Sequence, residues 1–165
     1  MDRLILLRHG EAEAGSETGG DFGRRLTPRG REACAAVASA LADVGLIPDL
    51  ALVSAAVRTR ETWAAMSALL PGCEVRFEDA LYLAEASEMR RIAREAGREA
   101  GVVLLVGHNP GLQEYAEDLM TEGSGPSGVL SRVRAGFPTS AAIAFALDAN
   151  GRAVFDGFFQ PDAAG

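Results

Sequence analysis

The chain holds two histidines, His9 and His108, and each stands just past the end of a short aliphatic run. The first run is Leu4-Ile5-Leu6-Leu7, opening into Arg8-His9-Gly10-Glu11; the second is Val102 to Val106, opening into Gly107-His108-Asn109-Pro110. A guanidinium beside an imidazole suits phosphoryl chemistry. The planar fork of the arginine pairs with phosphate oxygens, and its charge disfavours imidazolium, which keeps a ring nitrogen free to attack. A second cation comes from the string Ser54 to Thr62, where Arg58 falls in the first turn of a helix that follows a strand. The plainer reading of Arg58 is an exposed ion pair with Glu61, three residues along the helix.

Other chemistries compete for the same residues. His9-Gly10-Glu11 with the distant His108 also fits the pattern of a two-histidine, one-carboxylate iron site, which would make the chain a metal-dependent oxygenase. Such sites sit on an all-β double-stranded helix, and the helical periods of this chain contradict that. A third reading is a phosphoprotein-binding module without activity. Gly123-Ser124-Gly125-Pro126-Ser127-Gly128 is a literal G-x-G-x-x-G, but it follows a helical pattern rather than a strand and holds a proline, so it is read as loop composition.

The elements that must position these groups are legible from periodicity and breakers. Aliphatic runs bounded by Gly or Pro predict buried strands at Leu4–Leu7, Leu50–Ser54 and Val102–Val106, with another at Glu74–Phe77. Thr27 as N-cap and Pro28 at the first helical position start a helix that Gly45 stops. Helical spacing also predicts helices over Val57–Leu70 and Glu85–Glu99, and one beginning at Asn109-Pro110, read as a further N-cap and N1 pair. The stretch from Gly123 to Pro138 has no clear period and is read as a long loop. Ala141–Leu147 and Ala153–Phe159, joined by Asp148-Ala149-Asn150-Gly151, form a terminal hairpin. Strands alternating with helices predict a three-layer α/β/α sandwich with a mostly parallel mixed sheet and a C-terminal hairpin. Ligands of such sheets gather at the carboxyl ends of the strands, which is where both histidines fall.

Composition narrows the function classes further. With 165 residues, 48% hydrophobic and 24% charged, the chain fits one domain with a proper core. A net charge of −7 argues against nucleic-acid or anionic-membrane partners, which need a basic face. The apolar stretch after Met1 is too short for a signal peptide or a membrane span, so a cytoplasmic protein is expected. Cys34 and Cys73 lack any metal or redox spacing and are expected as free thiols. All 16 basic residues are arginine. The absence of lysine excludes a P-loop lysine, Schiff-base chemistry and a lysine general base.

Taken together, Leu7-Arg8-His9-Gly10-Glu11-Ala12, Leu26-Thr27-Pro28-Arg29-Gly30, Ser54 through Thr62, Val106 through Pro110 and Phe137-Pro138-Thr139-Ser140-Ala141 resemble the histidine phosphatase (phosphoglycerate mutase-like) superfamily. The likeness is greatest to its small SixA-type phosphohistidine phosphatase branch. The resemblance implies one such domain over residues 1–165, with His9 as the phosphate-accepting nucleophile and Arg8, Arg58 and His108 completing the phosphate pocket. Free N–H groups of the helix starting at Asn109 would face the same anion. It implies hydrolysis in two steps, without metal or organic cofactor, of a phosphohistidine-bearing protein or else a small phosphate ester. The sequence departs from the family in carrying Ala55 where proline is usual and in leaving no room for a helical insertion between the third strand and its helix. No carboxylate is clearly placed as general acid; Glu11, Glu78, Asp79 and Glu85 are the candidates.

Overall fold

A computed structural model describes residues 1–161, so the last four residues of the 1–165 unit lie outside the described residues. Six strands, β1 (Arg3–Arg8), β2 (Leu50–Ser54), β3 (Glu74–Glu78), β4 (Val102–Gly107), β5 (Ala142–Leu147) and β6 (Ala153–Phe159), form one sheet in the order β3-β2-β4-β1-β5-β6. Pairings among β3, β2, β4 and β1 are parallel, while β5 runs antiparallel to both β1 and β6. The sheet is therefore mixed and closes on the expected hairpin.

The period of two in each strand divides its side chains between two cores. Ile5 and Leu7 of β1 face the helices α1 (Pro28–Asp43) and α2 (Val57–Met66), packing with Val37, Leu41, Trp63 and Met66. Leu4 and Leu6 face the other side and pack with α3 (Ala86–Ala96), α4 (Gly111–Glu122) and α5 (Ser127–Ala135) through Met89, Ile92, Tyr115 and Val133. Both faces of the parallel strands are thus covered, which is why β1 and β4 read as unbroken apolar runs.

Three expectations are corrected. The segment Gly123–Pro138 is not an irregular loop, because it contains α5. Gly128 and the polar residues around it mask a short helix that needs only Val133 fully buried to hold its place. The G-x-G-x-x-G string serves close packing there: a Cβ on Gly123 would stand 1.9 Å from the Ala153 carbonyl oxygen, and one on Gly125 would press on Met120 and Phe155. Nor is Asn109 an N-cap. Pro110 holds that position after a cis Asn109-Pro110 bond, and the Asn109 amide instead donates to the Phe137 carbonyl at 3.0 Å. The helix read over Val57–Leu70 ends at Met66 and passes into a 3₁₀ turn, Ser67–Leu69.

Candidate active site

Topology brings the two histidines together. Arg8 pairs with Gly107 across adjacent parallel strands, so His9 and His108 leave the sheet side by side, with ring centroids 5.3 Å apart. Ser54 ends the next strand over, and its hydroxyl lies 2.7 Å from His108 Nε2. Arg58 follows at the start of α2. Each of these groups is fixed by a strand end or a first helical turn rather than by a long loop.

Two close approaches set the turn after β1. A Cβ on Gly10 would stand 2.7 Å from Cys34 Sγ, and one on Gly30 would stand 2.3 Å from the Glu11 carbonyl oxygen. The His9-Gly10-Glu11 turn therefore lies flat on the start of α1. There Thr27 is the expected cap: its hydroxyl accepts from the Gly30 N–H at 2.9 Å and donates to the Glu11 carboxylate at 3.0 Å. The Gly10 N–H donates to Thr62 Oγ1 at 3.0 Å, which ties the turn to α2.

His9 is 7% exposed, and its Nδ1 lies 2.7 Å from the Gly10 carbonyl oxygen. A carbonyl can only accept, so Nδ1 carries the hydrogen and Nε2 keeps its lone pair. Arg58 Nε donates to that lone pair at 3.3 Å. Burial first, then the charges of Arg58 and Arg8, bring the His9 pKa down to about 4. Burial and Arg58 bring that of His108 down to about 3. Near neutral pH both rings are uncharged, and His9 presents a basic nitrogen.

The remaining atoms await an anion. Ser54 engages Nε2 of His108, leaving Nδ1 buried with no partner among the described residues. Arg8 donates through Nη1 to the Phe137 carbonyl at 2.9 Å, while its buried Nε is likewise unpartnered. An unpaired buried polar atom costs about 1–3 kcal/mol, so a pocket that holds Arg8 Nε and His108 Nδ1 without partners beside the Arg58 guanidinium is built for a ligand. Arg58 is 3% exposed and does not pair with Glu61, which binds Arg31 and Arg25 instead. The exposed ion-pair reading of Arg58 is thereby excluded.

Among the described residues none of the four candidate acids hydrogen-bonds or ion-pairs with Arg8, His9, Arg58 or His108. Glu11 is turned onto Thr27, Glu78 lies with Arg76 and Arg91 beside α3, and Asp79 and Glu85 are exposed. With Glu11 turned away from His9 and His108, the two-histidine, one-carboxylate arrangement is not assembled. Among the described residues no cluster of three His, Cys, Asp or Glu could hold a metal ion.

The carboxylate that does reach the site is Asp21, from the glycine-rich segment before α1. Its Oδ2 accepts from Arg58 Nη2 at 3.1 Å and from the Tyr82 hydroxyl, and its carbonyl accepts from Arg58 Nη1 at 2.8 Å. Tyr82 stands in the short connection between β3 and α3, edge-on to His108 at 5.5 Å, with Phe22 packed on it at 5.0 Å. The hydrogen bond from Tyr82, then that from Arg24, hold the Asp21 carboxyl far below the usual carboxylate range. It remains an anion that orients Arg58. Asp21, Tyr82 and Ser54 were not singled out from sequence, and only Ser54, at the end of a strand facing His108, had a readable signal.

The profile of the histidine phosphatase superfamily (branch 1) matches residues 4–89, which carry Arg8, His9 and Arg58. An uncharacterised chloroplastic protein of Arabidopsis thaliana is 32% identical across 98% of this chain and 78% of its own length. Among solved structures, a protein of Agrobacterium tumefaciens described as a SixA phosphohistidine phosphatase is 30% identical, with a TM-score of 0.83 over 97% of this chain and 98% of that one. Another so described, from Nakamurella multipartitia, is 26% identical, with a TM-score of 0.84 over 98% and 97% of the two chains. The paired histidines, the two arginines and these likenesses agree, and the chain belongs to branch 1 of the histidine phosphatase superfamily, on its SixA-like side.

Proposed function

We propose that the protein hydrolyses phosphohistidine on a protein partner, through a phosphorylated His9. The observation that carries this reading is the protonation geometry of His9. Its Nδ1–H is spent on Gly10, and its Nε2 lone pair is directed to the place where Arg58 Nε would meet a phosphate oxygen. Attack of Nε2 on phosphorus forms the N–P bond as the leaving group departs with its electron pair. Arg8, Arg58 and His108 Nδ1–H stabilise the charge on the equatorial oxygens. Water then attacks the phosphorus of the intermediate, releasing inorganic phosphate and restoring neutral His9.

The leaving group selects the substrate class. Asp21 is held as an anion by Tyr82 and Arg24, and the Glu11 carboxylate is spent on Thr27, so neither offers a proton to a poor alkoxide leaving group. An imidazole leaving group takes its proton from solvent, and the P–N bond of a phosphoramidate is labile. The connection from β3 to α3 is short, Asp79 to Glu85, and carries no insertion that would exclude a protein side chain. Small phosphate esters are the second reading, and they would need an acid other than these two.

The test is a brief incubation with a ³²P-phosphohistidine protein, quenched in alkali to preserve phosphohistidine. Wild type acquires label and His9→Ala does not, with turnover reduced at least ~10³-fold, or about 4 kcal/mol of barrier. Labelling of His9→Ala at another residue, or faster release from alkyl phosphates than from phosphohistidine, would overturn the proposal.

A further inference from the structure

Beside the phosphate pocket lies a shallow, widely open cavity of about 450 Å³, lined among others by Arg8, Asn109, Gln113, Arg132, Phe137 and Gln160. It shares Arg8 with the phosphate pocket, so a substrate whose phosphoryl group rests on His9 and Arg8 has this space directly before it. We propose that the cavity receives a carboxylate carried by the substrate, and that Arg132 binds it. The inference rests on the phosphatase reading and adds to it the class of group that accompanies the phosphate.

The charge of the lining is the first argument. The chain holds 23 acidic residues and a net charge of −7, yet the lining has two arginines and no carboxylate. The neighbouring Arg134, two residues along α5, reaches Glu117 at 3.8 Å. Arg8 and Arg132 have no carboxylate partner among the described residues. Two guanidiniums with no carboxylate partner among the described residues, sharing one cavity, repel each other and favour an anion there.

The second argument is the setting of Arg132. Its guanidinium lies 5.0 Å over the Phe158 ring, and its Nη2 donates to Gln160 Oε1 at 2.8 Å. One edge of the plane is thus held while the other donors stay free, the preorganisation a forked grip on a carboxylate needs. Asn109 helps to fix the same wall. Its Nδ2 donates to the Phe137 carbonyl at 3.0 Å, which ties the start of α4 to the segment that forms the wall of the cavity. Phe137, Pro138 and Ala135 supply an apolar wall for the carbon skeleton between phosphate and carboxylate. Such a carboxylate has two sources: an acidic side chain next to the phosphorylated residue of a protein, or a free phosphorylated carboxylic acid.

Binding measured calorimetrically on the His9→Ala protein tests this without relying on turnover. The first arm compares phosphoglycolate with ethyl phosphate. The second compares histidine-phosphorylated peptides with Glu or Gln beside the phosphohistidine. The carboxylated member of at least one pair binds about 10- to 100-fold more tightly, and Arg132→Gln reduces that ratio to below about threefold. Gln160→Glu, which sets a carboxylate against an intact Arg132, abolishes the preference in the same way and guards against a packing defect in the first variant. A preference confined to the peptides assigns the carboxylate to a protein; one confined to phosphoglycolate assigns it to a free acid. An unchanged ratio in both variants, or no preference in either arm, overturns the proposal. Failure of the wild type to release phosphate from phosphohistidine would remove the phosphohistidine reading while leaving an observed carboxylate preference in place.

Discussion

Replacing Arg58 with alanine separates two effects that one side chain exerts. Arg58 Nε stands 3.3 Å from the attacking nitrogen, in a pocket that buries it to 3% exposure, so its charge acts on the transferring phosphoryl group with little screening. Loss of one such preorganised donor costs about 3–4 kcal/mol, a 10²- to 10³-fold fall in kcat. The same charge also helps to depress both histidines, after burial. In Arg58→Ala their pKa values therefore rise from about 4 and about 3 but stay below 6.5, because burial remains. At pH 7.5 His9 is neutral in both proteins, and the difference in kcat there reports charge stabilisation alone. Below pH 6 the variant also protonates its nucleophile earlier, so its acid limb lies at higher pH than that of wild type. Phosphate release from a phosphohistidine peptide between pH 5 and 8.5, with NMR titration of the two imidazoles, reads both effects. Arg58→Lys rescues poorly, since one ammonium cannot meet His9 Nε2 and the two Asp21 oxygens together. Near-wild-type kcat in Arg58→Ala at pH 7.5, or imidazole titrations that do not move, would refute the reasoning.

Hydrolysis survives EDTA and is inhibited competitively by vanadate and tungstate, whose oxyanions occupy the phosphate pocket; stoichiometric iron in the purified protein with chelator-sensitive activity would contradict this. Folding stability falls with acid, because His9 and His108 bind protons in the unfolded chain from about pH 6.5 while the native pKa values are about 4 and about 3. Their contribution is therefore full above pH 6.5 and lost as pH drops toward 3, with a slope of up to ~2.7 kcal/mol per pH unit between about pH 6 and 4. Urea denaturation at several pH values checks it, and an unchanged slope in His108→Asn would argue against it. Single substitutions of Glu11, Glu78, Asp79 and Glu85 to the corresponding amide each lower kcat on phosphohistidine by less than about tenfold, against the 10² to 10⁴ of a true general acid. A thousandfold loss at any of them identifies an acid and weakens the case for a phosphoramidate substrate.

Most of the fold was legible because its signals are local. Four strands betray themselves as apolar runs or alternations between breakers, and Thr27-Pro28 announces a helix that starts where its cap says. Asn109-Pro110 has the same appearance and a different outcome. Its amide finds the Phe137 carbonyl, a partner far along the chain, and long-range competition of this kind leaves no mark in a local pattern. The helix α5 was missed for the converse reason. It is held by packing of Val133 and by its neighbours rather than by propensity, so tertiary structure decides what the sequence leaves open.

The site divides along the same line. Arg8, His9, Ser54, Arg58 and His108 stand at strand ends or in the first turn after a strand, and a parallel sheet brings such ends together whatever the intervening sequence does. Asp21 and Tyr82 reach the pocket from two connections far apart in the chain, one glycine-rich and one very short, and nothing in either has a period that would point at His9. Their bond is nonetheless what fixes the plane of Arg58, because Asp21 binds both terminal nitrogens and Tyr82 holds Asp21. Nε spends its single N–H on His9 Nε2, and each terminal nitrogen keeps a second N–H, so the phosphoryl group reaching His9 meets a guanidinium whose plane is already set. The sheet thus supplies the chemistry, and the loops set the plane in which the guanidinium meets the substrate.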